Sequence, residues 1–282
     1  MAYTTLVDTE TLARNLGSGW CVFDCRFVLS DPGAGERAYC EGHIPGARYL
    51  HLDRDLAGPV GEQSGRHPLP EPLVLAAKLA AAGVNADAQI VAYDDAAGAF
   101  AARLWWLLHW LDHPHVAVLD GGWKKWLREG RPVSRELPED VPQGNFRAQP
   151  DNSLWVSSAR VLERVRANAG RLLDARAPNR FRGDEEPIDP VAGHVPGAVN
   201  RPYSENVFQE GVFKAPQELR RFFDAALDGV PPRDAICMCG SGVTACHNLL
   251  AMEVAGLKGG RLYAGSWSEW IRDAGRPVRR GQ

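Results

Sequence analysis

Asp234-Ala-Ile-Cys-Met-Cys-Gly-Ser-Gly-Val-Thr-Ala-Cys-His247 runs from a strand through a loop into a helix. The apolar run 235–238 has the length and character of a buried strand. Over 244–255, Leu249, Leu250, Met252 and Val254 are spaced to bury a helix face, and Gly256 stands where such a helix ends. Between them, Cys239-Gly-Ser-Gly-Val-Thr244 is too glycine-rich for either. A tight turn from a strand into a helix N-terminus points backbone N–H groups inward and adds the positive end of the helix dipole, which makes an anion cradle. Cys239 opens that cradle. Positive potential there favours the thiolate, the nucleophilic form of the side chain.

Free cysteines are usually small buried hydrophobes, and that suits Cys21, Cys25, Cys237 and Cys246, which sit in apolar surroundings. It suits Cys239 poorly, because the flanking Gly240 and Gly242 carry a backbone-entropy cost that packing does not require. Zinc is a rival, since Cys237, Cys239, Cys246 and His247 are close together. Their spacing contains neither the paired C-x2-C nor the H-x3-H of a zinc knuckle, so no metal is expected. Phosphate-ester chemistry on a similar loop would need an arginine at position 245, which is Ala245.

The chain repeats itself once. Phe23-Asp-Cys-Arg26 returns as Leu173-Asp-Ala-Arg176, and Gly42-His-Ile-Pro-Gly-Ala47 as Gly193-His-Val-Pro-Gly-Ala198. Trp123-Lys-Lys-Trp126 with Gly130-Arg-Pro-Val133 returns as Trp267-Ser-Glu-Trp270 with Gly275-Arg-Pro-Val278. The order is kept, so each half holds one copy of one fold: an N-terminal domain over 1–134, a polar, proline-containing linker over 135–153, and a C-terminal domain over 154–282. Apolar runs predict strands over 20–24, 90–93 and 116–119, then 171–174, 235–238 and 261–263. Helical periodicity covers 73–82, 100–110, 158–167, 216–226 and 244–255. Alternating strands and helices imply an α/β fold, a parallel sheet flanked by helices in each copy, with sites at the carboxyl ends of strands. Placing Leu104 over Leu249 sets Asp94 opposite Cys239. That loop then holds a carboxylate where the cradle has a thiol, so the first copy is expected to be inactive. His43 and His194 stand in both copies, which points to a structural turn.

The 282 residues are 45% hydrophobic and 24% charged, with a formal net charge of −3. That is the composition of a soluble globular protein and gives no footing for a nucleic-acid or membrane partner. The start, Met1-Ala-Tyr-Thr-Thr, has neither a basic n-region nor an apolar h-region. Six unevenly clustered cysteines do not form a disulfide framework, so a reducing cytoplasm is the expected location. No cofactor is expected.

The doubled Gly-His-x-Pro-Gly-Ala, the Asp-x-Arg strand ends and Cys239-Gly-Ser-Gly-Val-Thr244 resemble the two-domain sulfurtransferases of the rhodanese superfamily, over essentially the whole chain. The loop is similar to that of 3-mercaptopyruvate sulfurtransferases rather than thiosulfate sulfurtransferases, which usually carry basic residues after the cysteine. The resemblance implies two tandem rhodanese-like domains, the second catalytic. Cys239 would accept sulfur from a small anionic donor as a persulfide and pass it to a thiol or to cyanide. Gly240, Gly242, Val243 and Thr244 would line the anion site. Arg180, with Arg182 as a second candidate, would bind the donor's anionic group. Arg26 and Arg176 are expected in ion pairs within their own copies. His67 and Asp53 match positions where mercaptopyruvate enzymes hold a histidine and an aspartate in a relay with the loop serine, here Ser241. One departure stands out: a second arginine commonly follows Glu-Pro, whereas Ile188 and Asp189 follow Glu186-Pro187. A missing clamp should raise KM. The alternatives are a thiosulfate sulfurtransferase and a non-catalytic rhodanese-fold binding or regulatory module.

Overall fold

The computed structural model describes residues 2–138 and 141–281. Positions 139 and 140 of the expected linker lie outside the described residues. The chain divides into two compact units: 1–58 with 69–151 and 208–213, and 59–68 with 152–207 and 214–282. Two short segments therefore depart from a simple division at the linker. Residues 59–68 count with the second unit and 208–213 with the first.

In the first unit the strands are β1 (Leu6–Val7), β2 (Cys21–Asp24), β3 (Arg48–Tyr49), β4 (Ile90–Tyr93) and β5 (Val116–Leu119). Among the described residues they form one sheet in the order β1-β5-β4-β2-β3, and every pairing is parallel. Its helices are α1 (Thr9–Arg14), α2 (Ala34–Glu41), α3 (Pro72–Ala81), α4 (Ala101–Trp110) and α5 (Gly122–Arg128). Asp8 caps α1 by accepting the Thr11 N–H at 2.6 Å, and Pro72 opens α3, where its missing N–H costs nothing. Val22, Val91, Tyr93, Leu119 and Trp126 pack one face of the sheet.

The second unit carries β6 (Arg171–Asp174), β7 (Val199–Asn200), β8 (Ala235–Met238) and β9 (Arg261–Leu262), in the order β7-β6-β8-β9, again all parallel. A parallel bridge from Trp155 to Leu262 stands where β1 stands in the first unit. Its helices are α6 (Ser158–Ala167), α7 (Pro178–Arg182), α8 (Pro216–Leu227), α9 (Thr244–Val254) and α10 (Ser266–Trp270). Ile236, Met238, Tyr263, Trp267 and Trp270 form its core. Gly256, at φ +73°, ends α9 as its sequence position predicts.

The repeated residues build the same frame in each unit. Arg26 chelates the buried Asp24, donates to the Gly42 carbonyl at 2.7 Å and lies 4.7 Å over Trp123. Arg176 does the same with Asp174, the Gly193 carbonyl at 2.8 Å and Trp267 at 4.7 Å. These guanidiniums are internal, as expected. A buried charge is tolerated when it is paired and hydrogen-bonded, as both guanidiniums are here. His43 and His194 also prove structural: each puts Nδ1 on a backbone oxygen, Tyr39 at 2.8 Å and Phe181 at 2.9 Å, and stacks on that residue's ring.

Candidate active site

The second unit's strand order reverses direction between β6 and β8: β6 connects toward β7 and β8 toward β9. Such a switch point leaves a crevice at the carboxyl ends of the two strands, the usual ligand site of an open α/β sheet. Cys239 follows β8 there, and Arg176 and α7 follow β6.

The loop after β8 is held from below. The Cys239 N–H donates to Ser266 Oγ at 3.0 Å, while the Cys239 and Gly240 carbonyls accept the Trp267 and Ser268 N–H groups at 3.0 and 2.9 Å. Gly242 has φ +81°, and a Cβ there would lie 2.2 Å from the Ala264 carbonyl oxygen, so no side chain fits. In this conformation the Gly242 N–H turns back onto Cys239 Sγ at 3.1 Å. Val243, at the N-cap of α9, makes no side-chain capping hydrogen bond, and the positive end of that helix faces the loop, with Val243 and Thr244 at its mouth. Cys239 itself is 2% exposed. The other thiols of the region are differently placed. Burial pushes the Cys237 thiol far up in pKa, and Cys246 Sγ donates to the Gly242 carbonyl at 3.3 Å.

Ser241 Oγ lies 2.7 Å from His67 Nδ1, and both residues are buried. His67 comes from the segment 59–68, which is tied to this unit next door by the Arg66 N–H on Ser268 Oγ at 3.0 Å. Asp53 belongs to the first unit, in the turn after β3, where its N–H donates to His51 Nδ1 at 3.1 Å.

Arg180 sits on α7 with Nε on Glu186 at 3.0 Å and Nη2 on Glu186 and Asp189 at 2.7 and 3.1 Å. Its Nη1 and Nη2 would each be 3.6 Å from a Cβ at Gly240, so the guanidinium borders the loop. Arg182, the second candidate, instead donates to Asp184 at 2.7 Å in an exposed position. The reason is local: residues two apart on a one-turn helix face different directions.

Sequence reasoning missed the residues around Arg180. Arg176 shares Glu186 at 3.4 Å. Asp189 is bound on its other oxygen by Arg66, whose Nη2 would be 3.0 Å from a Cβ at Gly240. The chain does lack a base after Glu186-Pro187, yet a second guanidinium stands at the loop, supplied from 123 positions away. Burial, then the neighbouring Glu186, push the Asp189 carboxyl up in pKa, while Arg66 and Arg180 pull it back. Among the described residues no group of three or more His, Cys, Asp or Glu side chains is arranged to hold a metal. No described helix is long and apolar enough to cross a membrane.

The rhodanese-like domain family matches residues 8–129 and again 157–273. A probable 3-mercaptopyruvate sulfurtransferase of Pseudomonas aeruginosa is 49% identical over the whole of both chains. A putative thiosulfate sulfurtransferase of Mycobacterium tuberculosis is 38% identical over 92% of this chain and 90% of its own. The crystal structure of the 3-mercaptopyruvate sulfotransferase SseA from Escherichia coli superposes with a TM-score of 0.80 at 32% identity, covering 94% of this chain and all of its own. The chain belongs to the rhodanese-like family and is a sulfurtransferase with two tandem copies of that α/β domain.

Proposed function

We propose that Cys239 takes the sulfur of 3-mercaptopyruvate as a persulfide and passes it to a thiol or to cyanide. The observation that carries this reading is the Gly242 N–H directed at Cys239 Sγ at 3.1 Å, in a loop that leads into the N-terminus of α9. That arrangement stabilises negative charge on sulfur, in the thiolate and in the persulfide alike. The full-length likeness to a probable 3-mercaptopyruvate sulfurtransferase supports the donor.

The thiolate attacks the donor's sulfur, the S–S bond forms, and the carbon–sulfur bond breaks with its electron pair going to carbon. The products are Cys–S–SH and the enolate of pyruvate, which takes a proton to become pyruvate. An acceptor thiolate then attacks the outer sulfur and leaves with it, and Cys239 returns as a thiolate. Ser241 and His67, hydrogen-bonded to each other, give the site a pair able to move a proton. All six cysteines are free, and a carrier that must begin as a thiol suits a reducing compartment, for which we take the cytoplasm.

Intact-mass measurement tests the reading. After 3-mercaptopyruvate the protein should gain one sulfur on Cys239; Cys239→Ser should gain none and remain folded, while Cys237→Ser and Cys246→Ser still gain it. Loss of sulfur uptake in a folded Cys237→Ser or Cys246→Ser variant would overturn the assignment. The M. tuberculosis relative favours thiosulfate as the competing donor. The kcat/KM values for the two donors, measured side by side, should favour 3-mercaptopyruvate, and the opposite order would establish the thiosulfate reading.

A further inference from the structure

The second unit carries charges at the amino-terminal end of its sheet that the first unit does without. After the N-cap of its first helix, Asp8, the first unit has Thr11 and Asn15; after the matching N-cap, Ser157, the second has Arg160 and Arg164. The residue before the central strand is Gln89 in one and Asp234 in the other. The register partner of that strand's second residue is the fully buried Ala117 in one and Arg261 in the other. The same fold is thus built with neutral side chains at these four places, and the three arginines are not there to make it.

Nor do they form an ion pair of the kind seen at Arg176, whose Nη2 meets Asp174 at 2.7 Å. Arg164 and Arg261 share the one carboxylate of Asp234, at 3.3 and 4.0 Å. Burial and then the Arg164 charge push the Arg261 pKa down; Asp234 pulls it up, and Arg160 pushes it down again. Among the described residues, Nε of Arg164 and Nε of Arg261 are buried with no hydrogen-bond partner. Like charges gathered in a partly buried place repel, and one carboxylate does not neutralise them. A cleft of about 400 Å³ opens here, lined by Arg160, Arg164 and Asp234 together with the apolar Ala167, Val230 and Pro231. That is the volume of a small-molecule site, with room for more than a single ion. The cleft lies at the end of β8 opposite to Cys239, away from the sulfur-transfer site.

We propose that this cleft binds a small organic phosphate, its phosphoryl group held by Arg160 and Arg164 in the positive potential of Arg261, and its organic body against Ala167, Val230 and Pro231. Guanidiniums match phosphoryl oxygens with paired N–H groups, and a dianion offsets the repulsion that Asp234 alone leaves. Calorimetric titration of the full chain with phenyl phosphate and with inorganic phosphate, at low ionic strength, tests it. Phenyl phosphate should fill one saturable site, and inorganic phosphate should bind at least about tenfold more weakly for want of the apolar contacts. Arg164→Gln and the more exposed Arg160→Gln should each weaken phenyl phosphate by about tenfold or more, as for loss of a charge-assisted hydrogen bond. Asp234→Asn removes the competing carboxylate and should tighten it. Circular dichroism checks that each variant is folded, and Arg160→Gln and Asp234→Asn keep the test decisive if Arg164→Gln is not. The absence of a saturable site, unchanged affinity in the folded arginine variants, or weaker binding by Asp234→Asn would each overturn the proposal. Equal affinity for the two phosphates would overturn the organic ligand in favour of the free ion.

Discussion

Asp94 and Cys239 occupy the same place in their two units. Each follows a fully buried central strand, and each carbonyl accepts the N–H of the tryptophan near the start of the unit's last helix: Trp123 at 2.8 Å and Trp267 at 3.0 Å. The loops after them hold different side chains. Asp94, buried, accepts the N–H groups of Ala96, Gly98, Phe100 and Ala101, each at 2.8 Å. The first unit's cradle is thus filled by the chain's own carboxylate, which burial pushes up in pKa and the four N–H groups hold down. The second unit's cradle holds the Cys239 thiol, the sulfur carrier proposed above.

Asp94→Ala should therefore destabilise the fold. It leaves buried N–H groups without an acceptor, at a cost of roughly 3 kcal/mol or more. Urea unfolding should show a lower midpoint, and an unchanged midpoint would mean that the carboxylate does not organise this loop.

Arg180→Ala should act mainly on KM. Loss of a charge-assisted hydrogen bond to the donor amounts to about 1.5–3 kcal/mol, or a KM rise of roughly ten- to a hundredfold. Steady-state kinetics with 3-mercaptopyruvate and with thiosulfate check this, and an unchanged KM for both donors would leave Arg180 a partner of Glu186 and Asp189 alone.

His67→Ala should separate the donors. The enolate left by 3-mercaptopyruvate needs a proton, whereas sulfite leaving thiosulfate does not. A proton-transfer role therefore predicts a kcat for 3-mercaptopyruvate lower by about a hundredfold or more, with persulfide formation from thiosulfate little affected. Equal losses would assign His67 to holding Ser241 in place.

Asp189 makes stability depend on pH. Burial raises its pKa in the folded protein above the unfolded value, so the folded state binds the proton more tightly. Its contribution to stability is full below the unfolded aspartate pKa and is lost as pH rises through the folded one. Relative to Asp189→Asn, the unsubstituted protein should gain stability as pH falls through that window. Denaturant midpoints of the two proteins across mildly acidic pH measure the difference, and parallel curves would contradict the shift.

Much of this architecture is legible in the chain because it is local or repeated. Apolar runs mark β4 and β8, 3.6-residue periodicity and Gly256 mark α9, and Cys239-Gly-Ser-Gly announces an anion loop by itself. The doubled Asp-x-Arg and Gly-His-x-Pro-Gly-Ala return as the same ion pair and turn in both units. Strands of two residues, such as β3 and β7, are too short to show a period, and their pairing with β2 and β6 defines them instead. The charged surroundings of the loop are the least legible part. Ser241 and His67 are separated by 174 positions, and Arg66 and Asp189 by 123. Neither pair has a spacing that a helix or strand would repeat. An arginine in a loop reads as a solvated surface charge until the fold sets a buried carboxylate against it. Here the packing of residues 59–68 on the second unit does so, and the base absent after Pro187 is matched by Arg66, a guanidinium from a remote part of the chain.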